Sequence, residues 1–122
     1  MHPLGVIRLS TDCLFCKIVR GEIPAAKVYE NDHVLAFKDI NPQAPVHLLV
    51  IPKKHIPAIH QVPAGDAALM GQVFGAIQQV AAEAGIAETG YRVVTNNGPD
   101  SGQVVFHLHF HVLGGKPLGP IA

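Results

Sequence analysis

Short apolar segments rich in β-branched and aromatic residues occur five times along the chain. They have the sequences KVYE, VLAFKD, VHLLVIP, YRVVTN and VFHLHFHVL and cover residues 27–30, 34–39, 46–52, 91–96 and 105–113. Runs of this length and composition are typical of β-strands. Turn-forming Asn, Asp and Pro residues separate the first three segments, so the pattern predicts consecutive antiparallel strands.

Between the third and fourth segments, the apolar residues follow a different periodicity. Across residues 63–84 an apolar side chain recurs at every third or fourth position, which predicts one long helix that ends before Gly85. The recurring residues are Leu69, Val73, Ile77, Val80 and Ala84. One stripe of this helix is expected to face the core.

A second, shorter helix is predicted just before the first strand. Asp12 is a candidate N-cap, and Gly21 stands where such a helix would end, with Pro24 beyond it. The sequence CLFC, which begins at Cys13 and ends at Cys16, therefore falls in the first helical turn.

These elements predict an α+β fold with a five-stranded, mainly antiparallel sheet, one long and one short helix, and both helices against one face. At 122 residues, the chain is expected to form a single domain over 1–122, with its motifs between about 12 and 115. The mean hydropathy is +0.28 and only 15% of residues are charged. This excess of apolar residues predicts a buried interface in a homodimer.

The charge pattern excludes some classes of partner. Nine basic residues balance nine acidic ones, and no stretch concentrates the basic residues into a stripe, so nucleic acid is not an expected partner. The first residues lack a signal-peptide pattern, and no apolar run approaches the roughly 20 residues of a membrane span. We therefore expect a cytoplasmic protein without membrane association.

The last predicted strand contains three alternating histidines. Because side chains alternate between the two faces of a strand, His107, His109 and His111 are predicted to share one face, and Leu108 and Phe110 the other. A row of imidazoles has no packing rationale, since each ring brings two polar nitrogens. Either a metal site or an imidazole nucleophile flanked by imidazole donors would explain the pattern.

The loop before this strand favours a phosphate ligand. Its sequence, NNGPDSGQ, is rich in residues that allow backbone N–H groups to converge on an anion. Neither a GxxxxGK[ST] loop nor a GxGxxG element is present to hold phosphate in the commoner ways. An imidazole that attacks phosphorus would form a nucleotidyl-histidine intermediate.

With these residues in view, the sequence resembles the histidine-triad family, and within it the nucleotide-binding proteins that hydrolyse nucleoside phosphoramidates. The resemblance extends from about residue 12 to about residue 115. It is carried by LFCKIVRGEIPA, LAFKDINPQAPVHLLVIPKKHI, GYRVVTNNG and GQVVFHLHFHVLGG. It implies a hydrolase of purine nucleoside 5′-phosphoramidates and related nucleoside monophosphate derivatives.

The resemblance also implies roles for individual residues. His109 resembles the nucleophile, His111 the residue that contacts phosphate and leaving group, and His47 a relay histidine, while His107 completes the triad. Asp39 resembles the carboxylate that accepts both ribose hydroxyls. The purine pocket is matched by Phe15, Ile18, Phe37 and Ile40, and the phosphate loop by Asn96, Gly102, Gln103 and Val104.

Two departures from the family pattern concern the leaving group. Val104 stands where several relatives have a serine, so a hydroxyl that would assist the phosphoramidate nitrogen is missing. The C-terminal sequence GGKPLGPIA also lacks the tryptophan of some relatives. The resemblance implies a purine nucleotide of the AMP or GMP type as ligand, and these two departures leave the preferred leaving group open.

The two cysteines indicate metal or redox chemistry. Cys13 and Cys16 form a CxxC half-site, and soft thiolates combined with imidazoles select Zn²⁺. The resemblance implies that His55 and His107 complete a structural Cys₂His₂ zinc site. The alternative is a pair of free, partly buried thiols.

Two other functions fit the same sequence. One is a purine-nucleotide-binding adaptor with vestigial turnover, whose pocket would be identical. The other is a zinc hydrolase that uses HLHFH as its metal site.

Overall fold

The computed structural model describes residues 13–121. The helices are α1 (Leu14–Val19) and α2 (Ala67–Glu83). The strands are β1 (Lys27–Glu30), β2 (Val34–Lys38), β3 (Val46–Pro52), β4 (Tyr91–Val94) and β5 (Phe110–Gly114). Single 3₁₀ turns occupy Ile59–Gln61, Ala64–Asp66 and Pro99–Ser101.

All five strands form one sheet in the order β1-β2-β3-β5-β4, and every neighbouring pair is antiparallel. The central pair is β3 and β5, in which His47 lies opposite Leu113 and Leu49 opposite His111. This arrangement confirms the predicted α+β fold with its antiparallel sheet and one long helix. No helix within residues 13–121 has the length and apolar character needed to cross a membrane.

The sheet is covered on both faces. On one face, α2 packs its apolar stripe, including Val73 and Val80, against Val50 of β3 and Phe110 of β5. On the other face, Phe15 and Ile18 of α1 pack against β2 and β3 through Leu35, Phe37, Leu49 and Ile51. The expectation that both helices share one face was therefore wrong. Because β3 is covered on both sides, its sequence is almost continuously apolar rather than alternating.

The start of α1 differs from the sequence expectation. Its N-cap is Cys13, whose sulfur accepts a hydrogen bond from the backbone N–H of Cys16 at 3.3 Å. Asp12, the predicted N-cap, lies outside the described residues. The predicted end is confirmed, because Gly21 follows the helix with a left-handed φ of 78°.

The last strand is shorter than predicted and begins only at Phe110. The two neighbouring strands set this limit, since the pairing with β3 stops at Phe110 and the pairing with β4 stops at His111. Upstream, the backbone bonds instead to loops, with Leu108 N–H donating to Ile56 C=O at 2.6 Å. His107 and His109 thus precede the ladder, although Leu108 and Phe110 still reach the core beneath α2.

Candidate active site

A cavity of about 410 Å³ opens on the face of the sheet that α1 covers. This volume is in the range of small-molecule sites. Every residue predicted to bind the nucleotide lines it: Phe15, Ile18, Phe37, Asp39, Ile40, Asn96, Gly102, Gln103, Val104, His109 and His111. The structure therefore brings together side chains from α1, the end of β2, the 96–105 loop and the histidine segment.

One end of the cavity is apolar. The rings of Phe15 and Phe37 meet edge to face with centroids 5.5 Å apart, and both side chains are buried. Ile40 lies at the rim and is fully exposed. The aromatic and aliphatic side chains at this end are suited to contact with a planar apolar group such as a nucleobase.

Asp39 supplies a carboxylate beside this apolar end, immediately after β2. One of its oxygens accepts the Asn41 backbone N–H at 2.8 Å, and the other lies 3.4 Å from Nε2 of His47. Each carboxylate oxygen has a further lone pair, so Asp39 can still accept hydrogen bonds from a ligand.

The loop at the other end of the cavity is held by a buried side chain. Gln103 Oε1 accepts the Gly98 N–H at 2.7 Å, while its Nε2 donates to the carbonyl oxygens of Pro57 and Val105 at 2.8 and 3.1 Å. Gly98 and Gly102 adopt φ angles of 85° and 92°, which favour glycine. The backbone N–H groups of Gly102 and Gln103 also donate within the loop, to the carbonyl oxygens of Pro99 and Gly98. The Gln103 carboxamide and these turns therefore fix the shape of the loop.

The protonation of His109 follows from its hydrogen bond. Its Nδ1 lies 2.7 Å from the carbonyl oxygen of His107. Because a carbonyl can only accept, Nδ1 carries the proton and Nε2 keeps the lone pair. Thr95 Oγ1 donates to the His109 carbonyl at 2.8 Å, and the Phe15 ring contacts the imidazole edge to face. In the neutral ring, this bond therefore fixes one tautomer of His109 at the cavity wall.

A chain of hydrogen bonds fixes the tautomer of His111 in the opposite sense. The Gln43 backbone N–H donates to Nδ1 of His47 at 3.0 Å, so His47 is protonated on Nε2. That Nε2 lies 2.9 Å from Nδ1 of His111, which must accept. His111 consequently carries its proton on Nε2. Burial, together with the nearby His109 and His47, lowers the pKa of His111 to about 4.

His107 does not line the cavity. Its side chain is fully buried, and its Nε2 donates to the Pro52 carbonyl at 2.8 Å, which leaves the lone pair on Nδ1. Burial lowers the pKa of His107 to about 4, so the ring is neutral. His107 therefore contributes to the cavity through its carbonyl oxygen, which accepts from His109.

The His107 ring belongs instead to a cluster with Cys13, Cys16 and His55. The potential ligand atoms of these four residues all lie within 4.8 Å of one another. The Nδ1 atom of His107 is 3.3 Å from Sγ of Cys13 and 3.5 Å from Sγ of Cys16, and Nδ1 of His55 is 3.3 Å from Sγ of Cys16. Burial raises the pKa of the Cys16 thiol to about 12 and lowers the pKa of His55.

This donor set fits zinc. Ligands on one tetrahedral Zn²⁺ with ordinary Zn–S and Zn–N bonds lie about 3.3–3.8 Å apart, which matches the sulfur–nitrogen distances here. The His107 tautomer also presents a lone pair to the sulfurs. A second group, formed by Asp39, His47 and His111, is joined by the hydrogen bonds described above. Within residues 13–121, neither group includes His109, so the three histidines do not converge on one metal site.

Comparison with known proteins agrees with this geometry. The model of the HIT domain family matches residues 20–118 of the chain. The chain belongs to the HIT domain family. It is 53% identical over 110 residues to an uncharacterized HIT-like protein of Synechocystis, which covers 90% of this chain and 96% of that protein. It is 44% identical over 113 residues to the purine nucleoside phosphoramidase of Escherichia coli K12, covering 93% and 95% of the two chains.

Solved structures of HIT proteins share the fold. A histidine triad protein from Clostridium difficile superposes with a TM-score of 0.87 at 49% identity, covering 91% of this chain and 96% of that one. A HIT family hydrolase from Legionella pneumophila gives a TM-score of 0.86 at 48% identity, with coverage of 88% and 96%. The antiparallel sheet and long helix are thus those of HIT family hydrolases.

Sequence reasoning missed several residues of this HIT site. The apolar end also includes Ile23, Pro24 and Ala25 from the turn after α1, together with Leu49 of β3. The GEIPA sequence was a signal for the first three, since it follows the predicted helix that carries Phe15. Thr95 had no signal, because its contact with the His109 carbonyl depends on how β4 approaches β5.

We expect the substitution His111→Asn to reduce the acid sensitivity of folding. The folded chain holds the pKa of His111 at about 4, below its usual 6.5, so between these values only the unfolded chain binds the proton. The free energy of unfolding therefore has its full value above pH 6.5 and decreases as the pH falls from 6.5 toward 4. Because the ring is only partly buried, its share of the loss should be about 1–2 kcal/mol.

Urea unfolding of both proteins at about pH 7 and about pH 4.5 measures this share directly. The loss of unfolding free energy between the two pH values should be smaller in His111→Asn. An identical loss in the two proteins would show that His111 is not held neutral by the fold.

Proposed function

We propose that this HIT protein hydrolyses purine nucleoside 5′-phosphoramidates and related nucleoside monophosphate derivatives, through a covalent nucleotidyl intermediate on His109. The observation that carries the proposal is the hydrogen bond from His109 Nδ1 to the His107 carbonyl. It leaves Nε2 as an unprotonated nucleophile in a cavity that has an apolar slot, a carboxylate and a glycine-rich loop. The phosphoramidase activity named for the Escherichia coli relative supports the same reaction class.

Binding places the phosphorus in front of the nucleophile. The purine packs against the apolar wall that includes Phe15 and Phe37, and the Asp39 carboxylate accepts the two ribose hydroxyls. The Asn96 side-chain amide and the backbone N–H of Val104, both at the cavity wall, hold the phosphate oxygens. A substrate fixed at three points reacts in an effectively unimolecular step, which accounts for much of the rate.

The chemical steps use the opposite tautomers of His109 and His111. Nε2 of His109 attacks the α-phosphorus as the phosphorus–nitrogen bond breaks, and the leaving amine takes a proton from a water molecule. The His47 N–H bond to Nδ1 of His111 keeps the proton of His111 on Nε2, where it donates to the phosphate oxygens. The hydroxide left by that water then attacks the intermediate, which releases His109 and the nucleoside monophosphate.

Val104 bears on which leaving group is preferred. It is 84% exposed at the mouth of the cavity and has no hydroxyl to offer the leaving nitrogen. The leaving amine therefore takes its proton from water, without help from a side-chain hydroxyl at this position.

We further propose that Cys13, Cys16, His55 and His107 hold a structural Zn²⁺. When bound, the ion would replace the sulfur–imidazole contacts with coordinate bonds and tie α1 to the segment that carries His109. The reaction itself uses only the imidazoles and the loop. Reduced thiols of this kind suit a cytoplasmic location.

We also propose that the chain acts as one domain in a homodimer. Strand β4 is at the edge of the sheet, with Val93 42% exposed, and Phe74 on α2 is 52% exposed although its ring contacts Phe110. An open strand edge beside exposed apolar side chains favours pairing with a second copy.

The substitution His109→Ala should abolish AMP release from adenosine 5′-phosphoramidate, with a loss of about 10³-fold or more, because the nucleophile is gone. Brief exposure of the wild-type protein to substrate should add one adenylyl group to His109, detected by mass spectrometry of the peptide. His33→Ala is the matched control, because His33 is exposed and outside the cavity.

Three outcomes separate the alternatives. Nucleotide binding with no release above the His109→Ala level would favour a binding adaptor. Activity that chelation abolishes, with no trapped adduct, would indicate a zinc hydrolase. Release with a trapped adduct on His109 supports the phosphoramidase.

Replacing Asp39 with Asn should lower kcat/KM by about 10- to 100-fold for ribonucleotide substrates. The amide keeps an oxygen for the Asn41 N–H, but its NH₂ group faces the ribose with a donor where an acceptor is needed. The same substitution should have a much smaller effect on a 2′-deoxy substrate. Equal losses for both substrates would remove Asp39 from ribose recognition.

Elemental analysis should find one zinc per chain, which Cys13→Ser loses. Chelation should lower the melting temperature of the wild-type protein, because the ion links α1 to the histidine segment. Cys13→Ser should show no such shift. A metal-free wild-type protein with ordered thiols would contradict the zinc site.

A further inference from the structure

The CxxC thiols differ in their access to solvent. Cys13 is only partly buried and lines a second, open cavity of about 530 Å³, together with Leu14, His55 and Phe106. Cys16, in contrast, is buried, with 6% of its surface exposed. A small oxidant can therefore reach Cys13 first.

The two sulfurs are close enough to bond to each other. Both lie within 3.5 Å of one atom, Nδ1 of His107, and the Cys16 backbone N–H already contacts Sγ of Cys13. Residues three apart in a helical turn are neighbours, at the backbone separation that disulfides span. The two sulfur atoms themselves lie within 4.8 Å of each other.

We propose that Cys13 and Cys16 are a reversible oxidation site for small-molecule disulfides of the glutathione type, and that the resulting bond releases His107 and with it His109. The Cys13 thiolate attacks the external disulfide, forms a mixed disulfide and expels one thiol. The Cys16 thiolate then attacks Sγ of Cys13 and expels the second thiol. Two protein thiols are oxidised, one external disulfide is reduced, and the two thiol protons end on the two products.

A Cys13–Cys16 disulfide would leave Nδ1 of His107 without a hydrogen-bond donor or a metal ion. Its Nε2 donates to Pro52, so its Nδ1 needs a donor or a cation, and the two sulfurs are the groups in contact with that atom. Two S–H groups or a Zn²⁺ ion can satisfy the lone pair, but a disulfide carries no proton and binds zinc poorly. In a fully buried ring, this loss favours movement of His107.

Movement of His107 reaches the cavity through its backbone. The His107 carbonyl fixes the His109 tautomer at 2.7 Å, so a shift of this segment frees the His109 ring. Oxidation should then lower activity about 10- to 100-fold, as loss of an orienting hydrogen bond does at other sites. This last step rests on the proposed function, whereas disulfide formation and zinc release do not.

The test treats zinc-loaded and metal-free protein with oxidised glutathione. We expect both thiols to be lost, one intramolecular Cys13–Cys16 disulfide in the peptide map, and one zinc released per chain, measured with a metallochromic indicator. NMR of ¹⁵N-labelled histidine should show His109 losing its single tautomer. Dithiothreitol with zinc should restore the starting state.

Cysteine variants identify the order of the steps. Cys16→Ser should stop at a Cys13–glutathione adduct, while Cys13→Ser should stay unmodified because Cys16 is buried. Each variant is compared with itself before and after oxidation. Thiols that remain reduced, or a disulfide that leaves the His109 spectrum unchanged, would overturn the proposal. A protein that has no phosphoramidase activity before oxidation, but whose His109 spectrum changes on oxidation, would refute only the proposed phosphoramidase function.

Discussion

The hydrogen bond between His109 Nδ1 and the His107 carbonyl is the constraint on which the rest of the site depends. It connects two residues of one segment and fixes which nitrogen of His109 faces the carbonyl and which faces the cavity. The Thr95 hydroxyl holds the same segment from β4, and Leu108 N–H ties it to the Ile56 carbonyl. Because residues 107–109 lie before the start of β5 and outside the sheet ladder, these bonds, rather than strand pairing, set their position.

Neutral imidazoles make this arrangement possible. Burial lowers the pKa values of His107 and His111 to about 4, so neither ring adds charge beside His109. Each ring then has one donor and one acceptor nitrogen, and the surrounding groups determine which is which. The Gln43 N–H begins the series of hydrogen bonds that fixes the tautomer of His111, and the Pro52 carbonyl fixes the tautomer of His107 directly. The triad therefore consists of three identical side chains with three different roles.

Both faces of the sheet are covered by apolar side chains, and this packing directs the three histidine rings to one face. Helix α2 packs against one face and fixes Leu108 and Phe110, so the alternate residues His107, His109 and His111 project to the other. There, α1 brings Phe15 against the rings of both His107 and His109. The same short helix carries Cys13 and Cys16, which couples the thiol cluster to the cavity through His107.

The sequence by itself determined the element types and the antiparallel sheet, because strand alternation and helix periodicity are short-range properties. Residues such as Asp39 and Gly102 could be assigned to one pocket through the family resemblance. The tertiary structure alone decided that α1 covers the opposite face from α2, that β5 begins at Phe110, and which nitrogen of each histidine is protonated. These features depend on contacts between distant residues, such as His47 with His111 and Thr95 with His109, which no local pattern specifies.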